Sequence, residues 1–207
     1  VPAEVMLDIL HLGLRTSDLE TLRRCACLIL CYCWYNRADS GVLLLRRHVT
    51  IDSRGVTINS QGKTVARNAA CPIHRPRAAR FDLHGQVLQL LERWHQVSEP
   101  WQRPDSVYWA LPTDTASWRS SIIDRWLRDT LQLVGHTPPA GELWSGHSLR
   151  SGGASASLAI GVDMFRIMKH GVWKTLAAIE RYLSLHVLPS AAAYLFFGWM
   201  LPPRLDG

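Results

Sequence analysis

The sequence predicts a mainly α-helical domain with a small antiparallel three-stranded β-sheet, an α+β class. Three observations carry that reading. Apolar residues recur at helical spacing in most of the longer segments, as in Val5, Met6, Ile9 and Leu10. Residues 48–52 and 56–59 instead alternate apolar with polar about Ser53-Arg54-Gly55, the pattern of a hairpin. No repeat, low-complexity tract or interdomain linker divides the 207 residues, so a single domain over 1–207 is expected, long enough to bury a substantial core.

A first helix is expected over residues 1–13. Ser17-Asp18-Leu19-Glu20 has capping-box spacing and opens a second helix running to about Tyr35. That helix is apolar nearly all round, which marks it as the core helix. It carries Cys25, Cys27, Cys31 and Cys33, four of the five cysteines. Cys27 and Cys31 share a helical face while Cys25 and Cys27 point apart, so coordination of a metal by all four would need the helix broken. Small core residues in a reducing compartment are expected, with no metal and no cofactor.

Arg37 follows, then Ala38-Asp39-Ser40 and an apolar run at 42–45. After the hairpin a second turn, Ser60-Gln61-Gly62-Lys63, leads into a third strand from Thr64, which puts Lys63 at a hairpin tip or strand start. The proline-broken stretch 74–80 is basic, with Arg75, Arg77 and Arg80. Val87, Leu88, Leu90, Leu91 and Trp94 form a helical stripe over 83–97. Residues 107–110 read as a short extended piece, and Ser117 or Ser120 caps a helix through Ile122, Trp126 and Leu131 to Val134.

The loop 136–141, rich in Pro and Gly, feeds a helix containing His147 and Arg150. Three residues apart, they fall on one face, where an imidazole and a guanidinium can grip one small anion. Trp173 and Tyr182 are nine residues apart, about 900° along one straight helix and so on opposite faces. Convergence requires a break between them. Gly171 supplies it, and Thr175 caps a new helix through Leu176, Ile179, Tyr182 and Leu183.

Lys and Arg outnumber Asp and Glu, 23 to 17, for a formal charge of +6, compatible with a polyanionic partner. The longest apolar stretch, 191–201, is shorter than the roughly 20 residues that cross a bilayer. No signal peptide opens the chain, so an intracellular protein without a membrane partner is expected. The nine Trp are read mostly as core or rim aromatics.

The run His147-Ser148-Leu149-Arg150-Ser151-Gly152, then Gly161-Val162, Ile167-Met168, Gly171-Val172-Trp173 and Arg181-Tyr182, resembles the catalytic core of the tyrosine recombinases. Trp173 stands where many of them have a second His, as in the Cre-like branch. The small-residue run after Arg150 is also similar to recombinases of eukaryotic mobile elements, which would place the protein in the nucleus; otherwise the cytoplasm is expected. The resemblance covers nearly the whole chain and implies the tyrosine-recombinase catalytic-domain fold, with double-stranded DNA as partner and a homo-tetramer on DNA.

It also implies roles. Tyr182 is the nucleophile that forms a 3′-phosphotyrosine. Arg37 and Arg150 hold the nonbridging phosphate oxygens, because two planar forks stabilise a developing dianion better than ammoniums do. His147 accepts a proton near the phosphate, Lys63 is the general acid for the 5′ oxygen, and Trp173 donates its indole N–H. Asp39, Ser40 and His170 are supporting residues; Arg75, Arg77, Arg80, Lys169 and Lys174 are expected to touch DNA.

Two departures from the family pattern stand out. An acidic residue usually lies three positions after the first Arg, where this chain has Ser40, with Asp39 one place early. The N-terminal helical domain that closes the clamp on DNA is not found before Val1, so the chain reads as the catalytic half alone. Residues 186–207 are read as a C-terminal tail and helix, a candidate element for exchange between protomers. The alternatives are a catalytically impaired DNA-binding descendant and a type IB topoisomerase-like strand transferase.

Overall fold

The computed structural model describes residues 1–52, 55–59, 70–74, 83–115, 117–184 and 186–202. These are mainly helical, with a small antiparallel sheet. Lys63, Arg75, Arg77 and Arg80 lie outside the described residues, as does the turn at 60–63.

Helix α1 (Ala3–Arg15) buries Val5, Met6, Ile9 and Leu10, the face its spacing predicts. Its C-terminal carbonyls are closed by Arg93, which donates to the carbonyls of Gly13, Leu14 and Thr16. Helix α2 (Leu19–Cys33) is capped by Asp18 rather than Ser17: its carboxylate accepts from the Thr21 N–H at 2.8 Å. Glu20, expected to complete a capping box, instead pairs with Arg23 and Arg24 on the next turn. The rest of α2 is surrounded by its neighbours and almost wholly buried, as an all-round apolar helix must be. Cys25, Cys27, Cys31 and Cys33 are free, buried thiols, and burial pushes Cys25 up to about 12. Among the described residues no cluster of three or more metal-ligating side chains forms.

The chain leaves α2 through Tyr35, whose φ of 50° is left-handed, and enters a short helix α3 (Ala38–Val42) with Arg37 at its N-cap. The apolar run expected at 42–45 thus begins as the end of a helix. Strands β1 (Val49–Asp52) and β2 (Gly55–Asn59) pair antiparallel from Val49 opposite Ile58 to Asp52 opposite Gly55, and Val56 and Ile58 are buried. On its other edge β2 pairs with Ala70–His74 (β3), so the pairing lies further along than the expected start at Thr64.

Helix α4 (Leu83–Ser98) packs on α1 and α2; helix α5 (Ser121–Leu133) packs on α2 and α3. Of the piece expected to be extended at 107–110, only Val107 bridges Leu45; the chain then turns, with the Ala110 N–H on the Val107 carbonyl at 3.0 Å, while the Tyr108 N–H donates to the Leu44 carbonyl at 2.6 Å. Then come α6 (Gly146–Ala159), α7 (Met164–His170), α8 (Leu176–Glu180) and α9 (Ala191–Phe197). Among the described residues no helix is long and apolar enough to cross a membrane.

Helix α9 lies against α1, α4 and α6 of its own chain, with Ala192, Ala193, Phe196 and Phe197 buried and only Tyr194 half-exposed among its aromatics. The two Phe rings meet Tyr32 at 5.4 and 5.5 Å, and Phe197 meets Tyr35 at 5.6 Å. Each buried Phe contributes about 1.5–3 kcal/mol. Truncation before Ser190 is therefore expected to lower the melting temperature by about 10 °C or more. Circular dichroism melts of the two chains check this; equal midpoints would show that the core does not depend on α9.

Candidate active site

The site is built outward from α6. A Cβ on Gly153 would stand 2.4 Å from the Tyr32 carbonyl oxygen and 2.9 Å from the Tyr35 ring, so α6 approaches the end of α2 more closely than any larger residue allows. That approach buries Arg150, 6% exposed, across two corners of the backbone. Its Nη1 donates to the Tyr35 carbonyl and its Nη2 to the Gly171 carbonyl at 2.8 Å. Both corners are left-handed, at Tyr35 and at Val172, with φ of 50° and 55°. For a β-branched residue such as Val172 this conformation costs on the order of 1–3 kcal/mol.

The turn at Val172 brings Trp173 back over Arg150, with the guanidinium 3.9 Å from the indole centroid. Gly171 makes room: a Cβ there would lie 1.8 Å from the Trp173 ring. Thr175 then caps α8 as its position predicts, accepting from the Ala178 N–H at 3.2 Å. The helix stops at Glu180, however, so Tyr182 sits in the turn beyond it and not inside it.

The Tyr182 ring lies 5.2 Å from the Arg150 guanidinium, 4.8 Å from the His147 ring and 5.4 Å from the Trp173 ring. Four of the six residues expected to act together, His147, Arg150, Trp173 and Tyr182, therefore converge within one chain. Arg37 is exposed at the head of α3 and close enough for its charge to act on Arg150. Burial, reinforced by Arg37, pushes the Arg150 guanidinium down to about 10, while Tyr182 works in the opposite sense. It stays charged at neutral pH, with a second cation beside it and, among the described residues, no carboxylate hydrogen-bonded to it. Among the described residues, Arg150 Nε and Trp173 Nε1 are buried N–H groups without an acceptor. Each such donor costs about 1–3 kcal/mol until something accepts from it.

His170 is not part of this cluster. Its Nε2–H donates to the Cys33 carbonyl at 2.7 Å, and its ring packs on Tyr35 at 4.9 Å and Trp199 at 5.5 Å, so it props the α2 corner from behind. Burial pushes it down to about 4, keeping it neutral in the fold. An unfolded imidazole takes up a proton below about pH 6.5. Stability is thus full above that pH and falls as pH drops towards 4, by about 3 kcal/mol. Urea midpoints measured across this range are expected to show the slope, and His170→Gln, which keeps a donor for Cys33, is expected to flatten it in part. The remainder is shared by His95, which burial and then Arg46 hold down to about 4, by His48, which burial and then Arg47 hold down, and by the Val1 ammonium, which burial holds down to about 6.

Asp39 is exposed and Ser40 half-buried on α3, and Lys169 and Lys174 are exposed on either side of the Gly171 turn. Tyr35 carries no sequence signal for its part in the site: only its left-handed backbone gives its carbonyl to Arg150.

Structural comparison identifies the fold. The XerH site-specific recombinase bound to its difH substrate in a pre-cleavage complex superposes with a TM-score of 0.65 at 14% identity, covering 88% of this chain and 49% of that one. The same recombinase in a post-cleavage complex with palindromic difH gives a TM-score of 0.65 at 14% identity, over 88% and 48%. The XerA recombinase gives 0.65 at 15% identity, over 98% and 65%. The chain has the tyrosine-recombinase fold. It spans about half the length of XerH and 65% of XerA. No protein-family model matches the sequence, and no curated protein does. Within this recombinase fold the sheet precedes α4, and the Arg37 corner, α6, the Trp173 turn and Tyr182 meet at one place.

Proposed function

We propose that this chain carries out site-specific DNA recombination or integration, cleaving and rejoining strands through Tyr182 without a metal. The observation that carries the reading is the pair of buried, acceptor-less donors, Arg150 Nε and Trp173 Nε1, beside a phenol and an imidazole. A phosphate oxygen offers what both donors lack and relieves the repulsion between Arg37 and Arg150.

In this mechanism the Tyr182 oxygen attacks phosphorus as its proton passes to His147. The bond from phosphorus to the 5′ oxygen breaks, and that oxygen takes a proton from Lys63, leaving a 3′-phosphotyrosine. One phosphoester replaces another, so attack by a second 5′ hydroxyl reverses the step without an energy source. Arg37, Arg150 and Trp173 hold the nonbridging oxygens; Lys169, Lys174, Arg75, Arg77 and Arg80 contact the DNA backbone. Assembly is a homo-tetramer on double-stranded DNA, with residues 186–207 passing between protomers; the buried Phe196 and Phe197 mean that each protomer must refill a neighbour's core.

A pool of nicked duplexes of randomised sequence, incubated in EDTA, tests the reading. The native chain is expected to become covalently attached to DNA and Tyr182→Phe to remain unattached. Retained DNA binding with no attachment by the native chain would instead identify a catalytically impaired binding module, the reading favoured by Ser40 in the usual acidic position.

A further inference from the structure

Because α8 ends at Glu180, the turn that holds Tyr182 lacks a helical ladder beyond its first bonds. The Tyr182 N–H reaches the Ile179 carbonyl at 2.7 Å and the Leu183 N–H the Glu180 carbonyl at 3.2 Å. The Tyr182 carbonyl and the Ser184 N–H lie past that point. Both are taken up by a single side chain from another helix: the Ser155 hydroxyl donates to the Tyr182 carbonyl at 3.3 Å and accepts from the Ser184 N–H at 2.8 Å.

A serine inside a helix ordinarily bonds back to its own preceding turn. Its neighbours do so: Ser157 Oγ donates to the Gly153 carbonyl at 2.9 Å, while also meeting the Tyr35 hydroxyl, and Ser151 Oγ donates to the Ser148 carbonyl at 3.4 Å. Ser155, 2% exposed and five positions after Arg150, alone of these three reaches across to the Tyr182 segment. Helix α6 thus holds His147 and Arg150 on one stretch and pegs the Tyr182 backbone from the same rigid rod.

We propose that Ser155 is a positioning residue for the nucleophile, fixing the Tyr182 turn in register with the two groups that α6 itself presents. This rests on Tyr182 being the nucleophile. Loss of the peg frees the turn without touching any group that would meet DNA. A misplacement of about 1 Å at a reacting atom costs on the order of 100-fold in rate.

Three variants of the full chain are compared on the nicked randomised duplex pool. Ser155→Ala is expected to bind DNA with native affinity and attach about 10- to 100-fold more slowly. Hydrogen exchange read by NMR is expected to show the Ser184 amide protected in the native chain and unprotected in Ser155→Ala. Ser155→Thr, which keeps the hydroxyl, is expected to attach near the native rate with the amide protected. Native attachment by Ser155→Ala, or equal protection of Ser184 in both chains, overturns the proposal. Tyr182→Phe separates the two claims: if it attaches like the native chain, the nucleophile is elsewhere and the role of Ser155 goes with it; if it is inert while Ser155→Ala attaches at the native rate, only the peg is wrong.

Discussion

Arg150→Ala is expected to lower the rate of covalent attachment to DNA by about 10²–10³-fold, the range for removing one preorganised donor from an oxyanion. The same change should cost only about 1–3 kcal/mol of stability. Two buried carbonyls, of Tyr35 and Gly171, lose their donor and each loss is of that order. Against this, the variant no longer buries a cation under Trp173 or sets it beside Arg37, which offsets part of the loss. Arg150→Lys should repair neither defect. An ammonium on a flexible stem cannot donate to two carbonyls on opposite corners while stacking flat on an indole. Single-turnover attachment and urea denaturation of both variants check this; a lysine that restored attachment to near the native rate would mean that charge alone, not the planar fork, is needed.

Gly153→Ala is expected to be more damaging than its size suggests. The added methyl meets a backbone oxygen, the Tyr32 carbonyl at 2.4 Å, which cannot rotate away as a side chain can. Helix α6 must therefore back off from α2, at an overpacking cost of about 1–3 kcal/mol. Arg150, one turn earlier on α6, then leaves the Tyr35 carbonyl, and attachment should fall about 100-fold or more. Gly198→Ala is the control, since a Cβ there meets nothing within 4 Å and φ is −56°. It should change stability by no more than about 0.5 kcal/mol. Equal behaviour of the two variants would show that the close approach of α6 does not set the site.

These two sites also show what a linear sequence conveys. The faces of α1, α2, α4 and α5 were legible because burial acts on each helix by itself and leaves a periodic trace. The break at Gly171 and the Thr175 cap were legible for the same local reason. The cap of α2 was misplaced by one residue because Ser17 and Asp18 are both good caps, and Glu20 was claimed by Arg23 and Arg24. The end of α8 before Tyr182 left no trace, since the bonds that replace the helix come from Ser155, 27 positions away. Tyr35 and Val172 were invisible too: neither is a residue type that favours a left-handed backbone, and the surrounding packing imposes it.

The proposed mechanism requires the phenolic oxygen of Tyr182 to be the atom joined to DNA. The most direct measurement digests the trapped complex with nuclease and trypsin and locates the nucleotide by tandem mass spectrometry. A 3′-nucleotide phosphate is expected on the oxygen of Tyr182 and, in Tyr182→Phe, no adduct on any residue. An adduct on a different side chain, or one that persists in Tyr182→Phe, would contradict it.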